Sequence, residues 1–192
     1  ECQQDFLGVL KGELLAVKSY ALYEEFYHEE ITGLESYVLT EKVYWKSLNN
    51  KSVDINGRII GGCLDIISCL AGTKYDGIKE FSEKYKKDGL IWFFDNCELS
   101  MDETIRVLWK LNELDYFKYA KGVIFGRFGV NNTCCDYDVK TCLKDSVIGN
   151  LNIPIVYDAD ISHKAQCLPI INGSIANVIC KNGKGKITFT LK

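Results

Sequence analysis

The sequence is short of histidine and proline, and it lacks the marks of export or membrane insertion. No apolar run approaches the ~18 residues that a membrane span needs. The longest candidate, around Ile59 to Gly72, is broken by Asp65 and ends in glycine. Charge of one sign is not in excess: 23 Lys and Arg stand against 26 Asp and Glu, for a net charge of −3. That balance gives no electrostatic reason to expect nucleic acid or an anionic membrane as partner. No basic, apolar, small-residue series opens the chain, so no signal peptide is visible. The opening "ECQQDF" has no methionine, and reads as a processed terminus or as a fragment of something longer. The absence of CxxC leaves a zinc site with little support. The absence of G-x-S-x-G removes the sharp strand-to-helix nucleophile turn. Internal repeats and low-complexity tracts are missing too. Two prolines beside abundant Lys, Ile, Asn and Tyr read as a bias of base composition rather than a physical demand.

What is present is ordinary for a globular protein. The 192 residues are 47% hydrophobic and 26% charged, enough for one large domain, or one domain and part of another. Nine cysteines stand at positions 2, 63, 69, 97, 134, 135, 142, 167 and 180. The number is odd, and several lie in apolar segments, where cysteine behaves as a small hydrophobe. They read as reduced thiols of a cytoplasmic protein. Cys134, Cys135 and Cys142 with a histidine form a weak alternative metal set; neither metal nor cofactor is expected. Asn131 and Asn172 begin glycosylation patterns, which many cytosolic sequences also carry.

Residues 1–35 are charged and Tyr-rich, with Leu7, Leu10, Leu14, Leu15, Tyr20, Tyr23 and Phe26 at roughly helical spacing; they read as one or two helices. "SYVLTEKVYWKSL" (36–48) alternates like a strand, with Tyr37, Leu39, Val43 and Trp45 inward. "NNKSVDING" reads as a turn-rich connection. From Ile59 an α/β alternation sets in. "RIIGG" is a strand, "CLDIISCLAG" a helix closed by Gly72, "GIKEFSEKYKK" an amphipathic helix, and "GLIWFFD" a strand apolar on both faces. Ser100 and Glu103 make a capping box for a helix whose Ile105, Leu108, Trp109 and Leu111 share a side. "KGVIFGRF" and "IPIVYDA" are further buried strands with the helix "DVKTCLKDSV" between them. "SIANVIC", "KNGKGK" and "ITFTLK" make a β-hairpin. The fold class is α/β.

Reactive groups in such sheets collect where strands end. Three ends carry chemistry. Gly61 and Gly62 precede a helix, where backbone can approach a substrate closely; they serve a tight turn equally well. Asp95 and Glu98 follow "WFF", where a histidine partner would favour the ionised form. The third end carries Asp158, Asp160, Ser162 and His163. A histidine oriented by a carboxylate is the base half of a Ser-His-acid triad, although a lone histidine at such a place is often structural. His28 sits among glutamates and reads as solvated. No nucleophile is evident: Ser162 adjoins His163, and Ser68, Ser82 and Ser146 lie in helical patterns.

In order, "GRIIGGCLDIISCLAGTKYD", "GLIWFFDNCELSMDETIRVLWKL", "KGVIFGRF" and "IPIVYDADISH…INGSIANV" resemble the C-terminal part of the LD-carboxypeptidase family. This serine peptidase group also contains the microcin-immunity hydrolases. The resemblance implies a swivelling β/β/α-type domain with a C-terminal β-hairpin over residues 51–192. Residues 1–50 would be the end of an N-terminal nucleophile domain and a linker. His163 resembles the family's base, and its serine would lie upstream of residue 1. The acid maps to Asp95 or Glu98: counting back from Arg106 favours Asp95, and retention of glutamate favours Glu98. Ser162 stands where the family usually has glycine, and Lys164-Ala165-Gln166-Cys167 replace a nearby proline. The implied protein is a bacterial cytoplasmic hydrolase acting on a peptide substrate at an L-to-D bond, as in murein. The alternatives are a peptidyl-nucleotide antibiotic as substrate, or a non-catalytic ligand-binding domain. Alone, the chain is expected to be inactive and to expose an apolar face through which it could form a homodimer.

Overall fold

Two hydrophobic clusters, one on each face of a single eight-stranded sheet, organise the chain. The structure, a computed structural model, describes residues 1–26, 32–49, 51–129 and 138–191. Helix α1 (Cys2–Leu10) is followed by four short strands, β1 (Ala16–Lys18), β2 (Leu22–Tyr23), β3 (Glu41–Lys42) and β4 (Lys46–Ser47). Then come β5 (Val53–Cys63), α2 (Leu64–Leu70), α3 (Ile78–Tyr85), β6 (Leu90–Asp95), α4 (Met101–Glu113), β7 (Ala120–Gly126), α5 (Val139–Asp145) and β8 (Ile155–Ala159). The hairpin β9 (Ile175–Lys181) and β10 (Lys184–Thr190) ends the chain.

The sheet order is β1-β10-β9-β5-β6-β7-β8-β4. Its centre, β5 to β8, is parallel; β9, β10 and β1 on one side and β4 on the other are each joined to the next strand inward by antiparallel pairing. Strand β6 shows why both faces must be covered. Leu90, Trp92 and Phe94 enter the cluster under the helices, and Ile91 and Phe93 enter the other. The helices contribute Leu64, Met101, Leu108, Leu111, Cys142 and Leu143. The opposite face is closed by Val17, Tyr20 and Trp45, with Leu168 from the segment after β8. Asn182 and Gly183 both take positive φ (52° and 78°), as a tight two-residue hairpin turn demands.

The structure departs from the sequence reading at five places. Residues 1–35 hold one described helix, α1; β1 then pairs with β10, because burying Val17 and Tyr20 against the sheet outweighs a helical continuation. Residues 36–48 are not one strand. Strand β3 pairs with β2 in a separate ribbon, while β4 pairs with β8; Trp45 is buried, Tyr37 is exposed, and Leu39 and Val43 are half-buried. Residues 53–57 are strand rather than turn, since buried Val53 and Ile55 alternate with outward Asp54 and Asn56 along β9. Trp109 is 57% exposed, so the apolar side of α4 is narrower than the sequence suggests. Strand β8 carries a bulge. Ile124 pairs with Val156 and Gly126 with Ala159, three residues against two, with Asp158 at φ 56°. Ala159 is thereby turned to the same face as Val156. Such bulges re-aim side chains beside sites.

Residues 1–50, expected as a domain end and linker, contribute β1 and β4 to this same sheet. The capping box is formed: Ser100 Oγ accepts from the Glu103 amide, and Glu103 accepts from the Ser100 amide. No helix among the described residues is long and apolar enough to cross a membrane.

Leu108 and Trp109 are adjacent in sequence and opposite in environment, which gives a direct check. Leu108→Ala should lower the unfolding free energy by about 2–5 kcal/mol. Trp109→Ala should stay within about 0.5 kcal/mol of the parent. Urea denaturation of both variants measures the contrast.

Candidate active site

Because β5 to β8 run parallel, their C-terminal ends share one edge, and the polar residues after them converge. Asp95 is the last residue of β6. The chain then turns through 96–100 into α4, and this turn is shaped by Asp65, which in the sequence stands out only as the charge interrupting the apolar run from Ile59 to Gly72. Its carboxylate, in the first turn of α2, accepts from the amides of Cys97 (3.0 Å), Glu98 (2.9 Å) and Leu99 (3.1 Å). Burial pushes the Asp65 carboxyl up, but these amides outweigh it and hold it below the ordinary carboxylate range.

His163 lies four residues past β8, and its Nδ1 contacts Asp95 Oδ2. Asp95 is nearly buried, and its Oδ1 has no hydrogen-bond partner among the described residues. Burial raises its carboxyl above the ordinary value; the imidazole and backbone amide of His163 pull it back only in part. Glu98 is exposed, and its carboxylate has no partner among the described residues. Of the two candidate acids, the structure brings Asp95 to His163 and leaves Glu98 apart. The arrangement can fix one imidazole tautomer, with Nδ1–H donating to Asp95 and Nε2 free to take a proton.

The imidazole is 55% exposed. It lines a groove of about 1200 Å³ together with Phe6, Leu7, Tyr37, Val38 and Cys97. Ser36 lines the same groove, yet no serine or cysteine hydrogen-bonds to His163 among the described residues. Ser162 Oγ donates to the Lys164 carbonyl and accepts from its amide, which occupies it locally. Cys167 Sγ donates to the Ser162 carbonyl, and burial pushes its thiol up.

Asp158 and Asp160 do not orient His163. Asp158 pairs with Lys46 at 2.8 Å. Asp160, with no exposed surface, pairs with Arg127 at 2.6 Å and accepts from Trp45 Nε1 at 2.8 Å. Burial raises the Asp160 carboxyl, and Arg127 and Trp45 pull it back only in part. Arg127 went unremarked in the sequence reading; its signal was the one charge inside the apolar run "VIFGRF".

Gly61 and Gly62 lie outside the His163 groove. A Cβ on Gly61 would sit 1.8 Å from the Phe93 carbonyl oxygen, so close packing of β5 on β6 explains that glycine. Its carbonyl accepts from Asn172, and it borders a separate cleft of about 310 Å³ beside Trp92 and Tyr116. Gly62 faces Phe94 in the β5–β6 register. Cys142 is buried with its thiol pushed up to about 12, which disfavours the thiolate a metal needs. Cys134, Cys135 and His28 lie outside the described residues, among which no group of three or more His, Cys, Asp or Glu is placed to hold a metal.

The environment of Asp95 has a consequence for stability. A carboxyl whose folded value is raised contributes stability that is fully present below its unfolded value, and is lost as pH rises through the folded one. Asp95→Asn should therefore raise the denaturation midpoint at pH 7. The gain should vanish below the ordinary carboxylate range, where both side chains are neutral. Thermal unfolding of parent and variant at the two pH values checks the sign.

Comparisons with known proteins bear on the fold and the family. The family described as the LD-carboxypeptidase C-terminal domain matches residues 56–178. Comparison with curated proteins gave no match. Among solved structures, the chain is similar to an MccF-like protein from Streptococcus pneumoniae in complex with AMP, at TM-score 0.74 and 22% identity, covering 98% of this chain and 57% of that one. It is similar to a muramoyltetrapeptide carboxypeptidase from Oxalobacter formigenes, at TM-score 0.68 and 18% identity, covering 98% and 54%. It is also similar to MccF in complex with glutamyl sulfamoyl guanosine, at TM-score 0.74 and 16% identity, covering 98% and 55%. These likenesses concern the fold, and the chain spans little more than half the length of each structure. With the family matching most of its length, the chain belongs to the LD-carboxypeptidase C-terminal domain family.

Proposed function

We propose that this chain supplies the base and the acid of a serine-type LD-carboxypeptidase-like hydrolase, with His163 as base and Asp95 as the carboxylate that orients it. The observation that carries this reading is the contact between His163 Nδ1 and Asp95 at the shared edge of the parallel strands. The nucleophilic serine would come from an N-terminal domain of the same protein. Two features favour that source: the chain spans little more than half of the structures it resembles, and Phe6, Leu7, Tyr37 and Val38 are exposed along the groove beside His163.

In the reaction, the serine hydroxyl attacks an amide carbonyl while His163 Nε2 takes its proton. Asp95 stabilises the imidazolium that forms, and His163 then returns the proton to the leaving amine. Water repeats the sequence to release the acyl group. An aspartate is one methylene shorter than the family's glutamate, so the imidazole must lie closer to the end of β6. The unsatisfied Oδ1 and the raised carboxyl add to the demand for a donor from His163. The substrate class is a peptide with an L-to-D scissile bond, as in murein. A peptidyl-nucleotide substrate is the second reading, favoured by the AMP and glutamyl sulfamoyl guanosine bound in two structures of similar fold.

The test compares the 192-residue chain with the same chain joined to its upstream segment, using a murein tetrapeptide and an aminoacyl sulfamoyl nucleoside. The chain alone should turn over neither. The longer protein should hydrolyse one of them, and His163→Ala should reduce kcat by about 10³-fold or more. Turnover by the isolated chain that disappears in Ser162→Ala would place the nucleophile here and overturn the reading. A longer protein that binds a substrate without cleaving it would mark a ligand-binding domain.

A further inference from the structure

The segment that carries His163 is tied down by Lys164, whose ammonium pairs with Glu25 at 2.6 Å, and on both sides of the imidazole by one further side chain that does not touch His163. Arg127 follows β7 directly and is 5% exposed. Its Nη1 donates to Asp160 Oδ1 at 2.6 Å, and its Nη2 donates to the carbonyls of Lys164 at 3.1 Å and Gln166 at 2.9 Å. These three acceptors bracket His163 on both sides. The guanidinium also stacks on Tyr23, 4.3 Å from the ring centroid, and the amide of Glu24 meets the Ala165 carbonyl at 2.5 Å. The sheet fixes the other end of the geometry. Phe94 pairs with Phe125 in the β6–β7 register, one residue before Asp95 and two before Arg127. Arg127 and Asp95 are thus anchored to neighbouring strand ends, and the imidazole meets Asp95 from the segment that Arg127 holds.

We infer that Arg127 is the positioning residue for His163, holding the 160–166 segment so that the imidazole meets Asp95. This rests on the proposed function only for its catalytic meaning; the geometry stands without turnover. A planar fork with several donors suits three acceptors in one neighbourhood, whereas a lysine ammonium offers a point charge and no stacking plane. Arg58 provides a matched comparison within the same chain. It is similarly buried, pairs with Asp88 at 2.7 Å, donates to the Gly173 carbonyl at 2.6 Å and stacks on Tyr85 at 4.0 Å. Its contacts, however, lie away from the His163 segment.

The experiment is long-range proton–nitrogen NMR of the 192-residue chain, which has two histidines, with His163 assigned by loss of its signals in His163→Gln. The parent should show one tautomer, protonated at Nδ1, with that proton shifted downfield by the carboxylate. Arg127→Lys should lose the downfield proton and mix the tautomers, while Arg58→Lys, also destabilised, should keep the parent signature. A folded Arg127→Lys that retains the signature overturns the inference, as does an equal loss in Arg58→Lys. If Arg127→Lys does not fold, Asp160→Asn takes its place. That variant keeps an acceptor for Trp45, and it should lose the signature too; retention would again overturn the inference. In the active longer protein, Arg127→Lys should lower kcat about 10–100-fold with KM within about twofold. Full activity in Asp95→Asn would sink the proposed function and leave the NMR result on positioning intact.

Discussion

The buried ion pair between Asp160 and Arg127 is the constraint on which the rest of the site depends. Neither side chain reaches solvent appreciably, and each is held by more than its partner: Asp160 by Trp45 and the Tyr20 amide, Arg127 by two carbonyls and the ring of Tyr23. A pair of this kind is not by itself a source of stability, since desolvation offsets most of the attraction. Removing one partner leaves a buried charge uncompensated, at a cost of about 3–5 kcal/mol. Its value is geometric. Four separate stretches, at Tyr20 to Tyr23, Trp45, β7 and the His163 segment, meet at this pair.

The topology decides where that meeting occurs. Parallel strands bring their C-terminal ends to one edge, so Asp95 at the end of β6, Arg127 after β7 and Asp160 after β8 become neighbours although the first and last are over 60 residues apart. The bulge at Asp158 completes the arrangement. Without the extra residue, Ala159 and everything after it would turn to the opposite face. Asp65 does the same service on the other flank by gathering three successive amides of the 97–99 turn.

The chemistry follows from how unevenly the two partners are exposed. Asp95 is sheltered, with one oxygen lacking a donor among the described residues, whereas His163 stands half in the groove. A sheltered carboxylate holds its imidazole in one tautomer, and an open imidazole can meet a group that arrives from elsewhere. The groove's exposed Phe6, Leu7, Tyr37 and Val38 fit the proposal that reactive parts are divided between two halves of a protein.

Local pattern alone determined a good deal. The strands at 90–95, 120–126 and 155–159 are built around apolar runs, since both faces are covered. The capping box and the Asn182-Gly183 turn are set by short-range chemistry, and the two candidate acids and the histidine lie at strand ends, where reactive groups gather. Other features depended on partners distant in sequence. Ala16–Lys18 became an edge strand because β10 offers its backbone at the far end of the chain, and Val53 to Gly57 became strand because β9 does likewise. Asp95 rather than Glu98 met His163, because three amides of the 97–99 turn point to Asp65. Asp160 left His163 for Arg127, because a fully buried carboxylate needs a cation and donors at once. Periodicity and caps are read within a few residues. Which charge lies beside which carbonyl is settled only when strands from opposite ends of the chain share one sheet.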